Sequence, residues 1–309
     1  MNQSDFITKH AWLYGLQEYF VGTEYEEDYD LLFKALMHDN GYRKRDLLMK
    51  LPYMNNADTG YAKIENIIMQ SFYNCILHKS IPDYDVTQKS VMNLVRHFIK
   101  DPYPQTAYRL IRSFDKGVIL DFNDFYSRGQ ISSKKWLVEE LNKIVDQSIL
   151  GNIAVYGAWY NFIAHMLFDK FSVDKIYSID VDDTVIDHIS AMYNTEISSN
   201  RLVPLTLDVS TIEWVDNNIK NPQSNSILCN DIDIVINTSC EHMPDDWFHN
   251  IPTDTIVVLQ TNNYFDNVQH SNCVHTLKDT TDKYNMSKIL YKGTLNTPLY
   301  DRFMVIGIK

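Results

Sequence analysis

Residues 153–182 read IAVYGAWYNFIAHMLFDKFSVDKIYSIDVD, in which two short apolar runs flank a segment with helical spacing. The first run, Ile153–Gly157, ends in a glycine, and the second, Lys175–Asp180, ends in an aspartate. The uninterrupted apolar stretch Ile153–Tyr156 is typical of a strand that is covered by helices on both faces. A strand, a helix and a second strand in this order predict a parallel pair joined by a right-handed crossover.

The same alternation continues toward the end of the sequence. Further strands are predicted at Leu202–Leu207, Asp233–Asn237 and Thr255–Gln260, and helices are predicted to begin near Trp159, Thr184, Ser210, Pro244 and Val274. The last two runs, Ser287–Leu295 and Tyr300–Ile308, are joined by a segment too short for a parallel return, so they are predicted to pair antiparallel. The predicted fold class is α/β: a doubly wound, Rossmann-like, mostly parallel sheet with a C-terminal antiparallel hairpin.

The first half of the chain has a different pattern. Apolar residues recur at helical spacing after Asp30, after Tyr61 and after Val86, where the pattern ends before Asp101 and Pro102. We therefore predict an α-helical N-terminal domain over residues 1–130, followed by the sheet domain over residues 131–309.

The composition narrows the class of protein. The formal net charge is −12 over 309 residues, which disfavours a nucleic-acid partner because phosphate binding relies on basic surfaces. The densest basic cluster is short enough to be an exposed helix face and consists of Arg43, Lys44, Arg45 and Lys50. The four cysteines form no CxxC pair, and neither a secretion signal nor a membrane-spanning run is recognisable. We expect a cytoplasmic protein with no membrane partner.

Candidate ligand-binding residues follow the first two predicted strands, because ligands of open α/β sheets bind beyond the carboxyl ends of the strands. Gly157 allows close approach of the backbone, and Trp159 and Tyr160 follow it where a helix start offers free N–H groups. Asp180 lies about twenty residues further on and is placed to accept hydrogen bonds from both ribose hydroxyls, with Val181 beside it. The alternative role for an aspartate here, capping the next helix, is better suited to Asp182 or Asp183.

Asp208 follows the third predicted strand and is placed to accept a hydrogen bond from an adenine amino group. Together with Asp180 it predicts a nucleoside-containing ligand at this edge of the sheet. NADP is disfavoured because Asp180 would repel its 2′-phosphate.

The fourth and fifth predicted strands are followed by polar side chains that face a cleft more readily than a core. Asn237, Thr238, Glu241 and His242 follow the fourth strand. The alternative for the first two of these is a plain turn. The residues after the fifth strand are predicted to bind the substrate and are Asn262, Asn263 and Tyr264.

Glu241, His242 and His270 are the candidate catalytic residues, because a carboxylate and imidazoles can transfer a proton to or from an acceptor. The same side chains also suit a divalent metal. Their spacing matches no metal-binding signature, so the sequence predicts no metal site.

The collinear set of these features resembles the class I S-adenosylmethionine-dependent methyltransferases. The resemblance covers residues 150–309 and is carried by the glycine turn, Ile179-Asp180, Leu207-Asp208, Asp233–Asn237 with Glu241-His242, and the closing hairpin. It implies S-adenosylmethionine as the cofactor, bound by the residues after the first four strands. The first motif departs from the family, which has two or three glycines where this chain has Gly157-Ala-Trp-Tyr.

The resemblance also implies that a helix before the first strand covers the cofactor. In this chain that helix begins near Gln130, a glutamine that would bind the cofactor, with Ser133 and Trp136 beside the ligand. The alternative is a capped helix with Trp136 in the core.

Several functions fit this set of residues. Methyl transfer to an unidentified acceptor is our first prediction, and transfer of the aminocarboxypropyl group, as in nicotianamine synthase-like proteins, is a second. A non-catalytic module that senses a ligand or binds a partner is the third. An NAD-dependent oxidoreductase is disfavoured by the terminal hairpin and the single-glycine turn.

Overall fold

The computed structural model describes residues 128–145, 149–221, 226–297 and 299–309, with Gly22, Glu26, Glu27 and Arg109. The chain divides into two compact units, Met1–Ile131 and Ser132–Lys309. The helices predicted after Asp30, Tyr61 and Val86, and the basic cluster at residues 43–50, lie outside the described residues. The helical N-terminal domain and its boundary therefore remain predictions.

Ten strands lie within the described residues. They are β1 (Ile149–Tyr156), β2 (Ser172–Asp180), β3 (Leu202–Thr206), β4 (Glu213–Val215), β5 (Asn218–Lys220), β6 (Ile227–Cys229), β7 (Ile232–Asn237), β8 (Ile256–Asn262), β9 (Lys288–Asn296) and β10 (Asp301–Ile308). Seven of them form one sheet in the order β3-β2-β1-β7-β8-β10-β9.

The large sheet is parallel from β3 to β8. Strand β10 is antiparallel to β8 and to β9, so the C-terminal hairpin closes the sheet. The predicted fold class is therefore confirmed. The strand order reverses between β1 and β7, and we call the carboxyl ends of these two strands the switch point, where ligands of open α/β sheets bind.

The helix predicted near Ser210 is wrong. Ser210 instead closes a turn, and the chain continues into a small antiparallel sheet of β4, β5 and β6. The turn between β4 and β5 consists of Asp216 and Asn217, with a positive φ of 54° at Asp216. Aspartate and asparagine tolerate that conformation, which is why this pair forms a tight hairpin and not a helix.

The described helices are α1 (Arg128–Ile144), α2 (Ile163–Lys170), α3 (Val185–Met192), α4 (Asn194–Ser198), α5 (Asp246–His249) and α6 (Leu277–Lys283), with a 3₁₀ turn at Cys240–His242. Helices α2, α3, α5 and α6 begin within a few residues of the positions predicted from the sequence. Among the described helices, none combines the length and the apolar character needed to cross a bilayer.

An aromatic cluster anchors the segment after β7 to the sheet. Trp247 of α5 is fully buried and packs edge-on against Tyr156 of β1, with Phe248 and Tyr284 around it. The Tyr284 hydroxyl donates a 2.8 Å hydrogen bond to Asp245 at the start of α5. Because burial of aromatic rings dominates core energetics, this cluster fixes where the preceding 3₁₀ turn lies.

Helix α1 covers the hairpin side of the sheet. The indole N–H of Trp136 donates to the Tyr291 hydroxyl of β9 at 3.1 Å, and the two rings meet edge to face. The Ser133 carbonyl accepts a 2.9 Å bond from Gln260 of β8. Strand β9 is the far edge of the sheet from β1, so the predicted position of Trp136 beside the ligand is wrong. Tyr291 decides this because it offers the half-buried indole both a ring and an acceptor.

Candidate functional site

The turn after β1 has the backbone of a glycine-rich loop with only one glycine in it. Gly157, Trp159 and Asn161 all have positive φ, at 55°, 48° and 48°. Glycine adopts this conformation freely and asparagine at a reduced cost, whereas most other L-residues pay about 1–2 kcal/mol. One glycine and two residues with side chains therefore share the positive φ values of this turn.

Specific contacts hold this turn in its strained conformation. The Trp159 ring stacks on Tyr160 with centroids 4.3 Å apart, and Tyr160 meets the His188 ring edge-on. The Trp159 N–H donates a 2.7 Å bond to Asp180 Oδ2 at the tip of β2. Strained residues persist where the surroundings over-determine them, and they concentrate at functional sites.

Replacing Asn161 by glycine is expected to raise the free energy of unfolding by about 1 kcal/mol. The change removes the cost of the positive φ, and it also removes a buried amide that has no hydrogen-bond partner among the described residues. The bond from the Tyr193 hydroxyl to the Asn161 carbonyl involves only the backbone and is kept. Urea denaturation measures the change, with Asn161→Ala as the matched variant that retains the strain. A destabilised glycine variant would contradict the expectation.

The Asp180 carboxylate lies between the turn after β1 and the turn before α3. Its Oδ2 accepts from Trp159, and its Oδ1 accepts a 3.0 Å bond from the Asp182 N–H. Each carboxylate oxygen has two lone-pair positions, so both retain capacity for a ligand hydroxyl. The adjacent Val181 side chain is 70% exposed, a large apolar group next to a polar site. The turn before α3 is closed by Asp182, which accepts from Thr184, and these bonds lower the pKa of Asp182.

Asp208 lies at the tip of β3, next to this group. The neighbouring Leu207 N–H donates a 2.8 Å bond to the Asp180 carbonyl. The Asp208 Oδ1 accepts from both the N–H and the hydroxyl of Ser210, and its side chain is exposed. Five of the residues predicted to bind the cofactor thus follow β1, β2 and β3, and we call them the cofactor-side group: Gly157, Trp159, Asp180, Val181 and Asp208.

The segment after β7 packs directly on the glycine turn across the switch point. The Ser239 hydroxyl donates a 3.2 Å bond to the Gly157 carbonyl. Asn237 is fully buried, and its side chain builds this segment by accepting from the Ser239 N–H and contacting the Met243 sulfur. The Thr238 carbonyl is likewise occupied, by a bond from Arg302. A cofactor role for Asn237 and Thr238 remains a prediction.

A buried ion pair lies next along this segment. Glu241 and Arg302 are 1% and 4% exposed, and Arg302 Nη2 lies 3.4 Å from Glu241 Oε1. Asn262 donates a further bond to the same oxygen. Arg302 belongs to β10 of the closing hairpin and was not predicted from the sequence. In the sequence, Arg302 is distinguished only as a charged residue near the start of an otherwise apolar strand. That feature does not indicate which face of the sheet the side chain lies on, or which residue it pairs with.

His242 and His270 lie beside this pair with their rings edge to face and centroids 4.6 Å apart. The Nδ1 of His242 is 3.2 Å from the Gln269 carbonyl, and the Nδ1 of His270 is 2.9 Å from the Tyr264 carbonyl. A carbonyl only accepts, so each Nδ1 carries the proton and each Nε2 carries the lone pair in the neutral ring. Desolvation lowers the pKa of His242, although Glu241 opposes the shift.

The residues predicted to bind the substrate divide into two groups. Asn262 is fully buried against Glu241 and accepts from the Tyr264 N–H. Tyr264 meets His270 edge-on and stacks on Tyr300. Asn263 turns instead to the start of β10, where it pairs with Asp301.

Five predicted residues are therefore brought into one cluster by the tertiary structure. We call it the Glu241 cluster, and its members are Glu241, His242, Asn262, Tyr264 and His270. The bond from Ser239 to Gly157 connects the segment that carries this cluster to the cofactor-side group. Gln130 lies in the first turn of α1, and its predicted role remains a prediction.

Of three comparisons with known proteins, only the one with solved structures finds matches. No family model matches the chain, and no curated protein matches it. The solved structures that match include the magnesium protoporphyrin IX methyltransferase of Synechocystis with bound S-adenosylhomocysteine, at 13% identity and a TM-score of 0.44, over 70% of this chain and 99% of that one.

Two further matches have similar values. The N-methyltransferase NodS of Bradyrhizobium japonicum is 10% identical with a TM-score of 0.41, over 62% of this chain and 99% of that one. An S-adenosylmethionine-dependent methyltransferase of Aquifex aeolicus is 13% identical with a TM-score of 0.37, over 57% of this chain and 97% of that one. With five parallel strands closed by an antiparallel hairpin whose last strand lies inside, the sheet unit has a class I S-adenosylmethionine-dependent methyltransferase-like fold.

Proposed function

We propose that this protein is an S-adenosylmethionine-dependent methyltransferase that binds its cofactor at the carboxyl ends of β1, β2 and β3. The observation that carries the proposal is the Asp180 carboxylate, fixed at the tip of β2 by the N–H of Trp159 from the glycine turn. A carboxylate held in this way beside the switch point is preorganised to accept from two ribose hydroxyls. Preorganisation matters because the ordering cost is met before the ligand binds.

The rest of the cofactor-side group fits the remaining parts of a nucleoside. The exposed Val181 side chain offers an apolar surface on which an adenine ring would lie, and Asp208 would accept from its amino group. The turn from Gly157 to Tyr160 would then face the methionine end. Asn237 and Thr238 are proposed to complete the cofactor site.

The Glu241 cluster would hold the acceptor. In the reaction a lone pair of the acceptor forms a bond to the methyl carbon, the carbon–sulfur bond breaks, and neutral S-adenosylhomocysteine leaves. The sulfonium carbon is already electrophilic, so alignment and desolvation of the acceptor are the main contributions of the protein. An acceptor that must lose a proton would pass it to His242 or His270, whose neutral rings can take it.

Replacing Asp180 by alanine is expected to weaken S-adenosylmethionine binding about tenfold or more, because charged hydrogen bonds to the ribose are lost. Calorimetry on the purified full chain measures the affinity, and Asp183→Ala, an exposed carboxylate of the same turn, is the control. A 2′-deoxyribose analogue of S-adenosylhomocysteine distinguishes loss of the hydrogen bond between Asp180 and the ribose from a general loosening of the turn. The native chain should discriminate against it and the Asp180 variant should not. Equal discrimination by both proteins would refute the assignment.

Product analysis tests the reaction itself. S-adenosylhomocysteine is the product of methyl transfer, whereas methylthioadenosine is the product of aminocarboxypropyl transfer. Tight cofactor binding without turnover over a broad set of acceptors would instead support the non-catalytic alternative.

A further inference from the structure

Three side chains of the Glu241 cluster bring possible metal-ligating atoms close together. One ligand atom from each of Glu241, His242 and His270 lies within 4.8 Å of the others. Two ligand atoms of a tetrahedral metal with bonds of about 2.1 Å are about 3.4 Å apart. Shifts of about 0.8 Å per ligand atom therefore bring all three within bonding distance, and the exposed His242 side chain has room to move.

Both imidazoles are oriented as metal ligands usually are. In His242 and His270 the Nδ1–H donates to a backbone carbonyl, which leaves the Nε2 lone pair directed away from that carbonyl. Such a bond fixes the tautomer and raises the basicity of a ligating ring. The amide of Asn267 lies 3.2 Å from His270 Nε2 and would be displaced by a metal.

Glu241 supplies a second, independent indication of a ligand. Its Oε1 is occupied by Asn262 and Arg302, whereas its Oε2 is buried and has no hydrogen-bond partner among the described residues. Leaving a buried charged oxygen unsatisfied is costly, and a cation satisfies it. The Arg302 charge on the other oxygen weakens the attraction for a cation but does not occupy Oε2.

We propose that Glu241, His242 and His270 form a binding site for a divalent transition metal. Two imidazoles and one carboxylate favour borderline metals such as Zn²⁺ over Mg²⁺ or Ca²⁺, which take oxygen ligands. Three protein ligands leave coordination positions open, as catalytic sites do. The site does not depend on the proposed methyl transfer.

The use of the metal does rest on the proposed function. An oxygen of the acceptor would occupy an open position, so the acceptor class is a hydroxyl or carboxylate compound. A bound cation makes a hydroxyl more acidic, and its proton can leave to solvent while the oxygen attacks the methyl carbon. The histidines then hold the acceptor through the metal and do not take its proton.

The test is calorimetric titration of ZnCl₂ into the full chain after treatment with a chelator. One Zn²⁺ per chain is expected at a site that Glu241→Gln and His270→Ala each weaken about tenfold or more. MgCl₂ is expected to bind at least about a hundredfold more weakly than ZnCl₂. His275→Ala is the matched control, because His275 is exposed on the same loop, where it stacks on Phe265. Its affinity for Zn²⁺ should equal that of the native chain.

Zn²⁺ binding that is unchanged in both ligand variants, or the absence of stoichiometric binding, would overturn the metal site. His270→Ala keeps the test valid if Glu241→Gln does not fold, because His270 lies on a partly exposed loop and the buried ion pair is untouched. Titration of S-adenosylmethionine into the same samples separates the two proposals. A chain that binds Zn²⁺ through these residues but not the cofactor retains the metal site and loses the proposed function.

Discussion

Replacing Arg302 by methionine is expected to lower the free energy of unfolding by about 3–5 kcal/mol, as found when one partner of a buried ion pair is removed. Glu241 would be left at 1% exposure without its cationic partner, with Asn262 as its remaining donor among the described residues. The Thr238 carbonyl would also lose the Arg302 bond that fixes the segment after β7. Urea denaturation followed by circular dichroism measures the loss.

The double variant Glu241→Gln with Arg302→Met is the control for the charge. It keeps a side-chain oxygen for Asn262 and contains no buried charge, so it should recover about 2 kcal/mol or more of the loss. Lys292→Met on the neighbouring β9 has an exposed side chain and should change stability by less than about 0.5 kcal/mol. A double variant as unstable as Arg302→Met would show that packing, and not the unpaired charge, sets the effect.

Replacing Gly157 by valine is expected to cost about 2–4 kcal/mol of stability and to abolish measurable cofactor binding. The φ of 55° disfavours any residue with a Cβ, and a β-branched one most. A Cβ at this position would lie 2.7 Å from Met243 Cε and 3.2 Å from Ser239 Cβ. The end of the Met243 side chain would have to shift, and so would the Ser239 side chain, which donates to the Gly157 carbonyl.

The steric and conformational parts of this effect can be separated. Gly157→Ala combined with Met243→Ala removes the closest clash but keeps the strained φ. The loss in free energy of unfolding of this double variant should be smaller, by about 1 kcal/mol, than the summed losses of the two single variants. Additive effects would show that the conformation of Gly157 alone is limiting. Calorimetry with S-adenosylmethionine on the same variants reports whether the turn must keep its shape to bind the cofactor.

Local sequence patterns were sufficient to predict the large sheet and the sheet edge at which the candidate residues lie. Apolar runs such as Asp233–Asn237 mark buried strands, and side chains that follow parallel strands must meet at one edge of the sheet. This is why Glu241 and Asn262, 21 positions apart, could be predicted to lie together. The error at Ser210 has a local cause, because Asp216 and Asn217 favour a hairpin.

Contacts between distant segments decided the rest. Trp136 lies beside Tyr291, 155 positions along the chain, and no periodicity in α1 specifies that partner. The positive φ of Trp159 likewise could not be predicted, because a tryptophan adopts it only where stacking and the Asp180 carboxylate hold it.

By itself the sequence determined the fold class, the parallel direction of the first five strands of the large sheet, and the sheet edge at which the polar residues gather. These follow from periodicity and from the direction of each strand. Only the tertiary structure decided that Arg302 pairs with Glu241 across 61 positions. That pairing leaves the other carboxylate oxygen of Glu241 buried and without a hydrogen-bond partner among the described residues. The physical reason is that burial and charge pairing depend on which segments pack together, and such contacts leave no periodic pattern in the residues that make them.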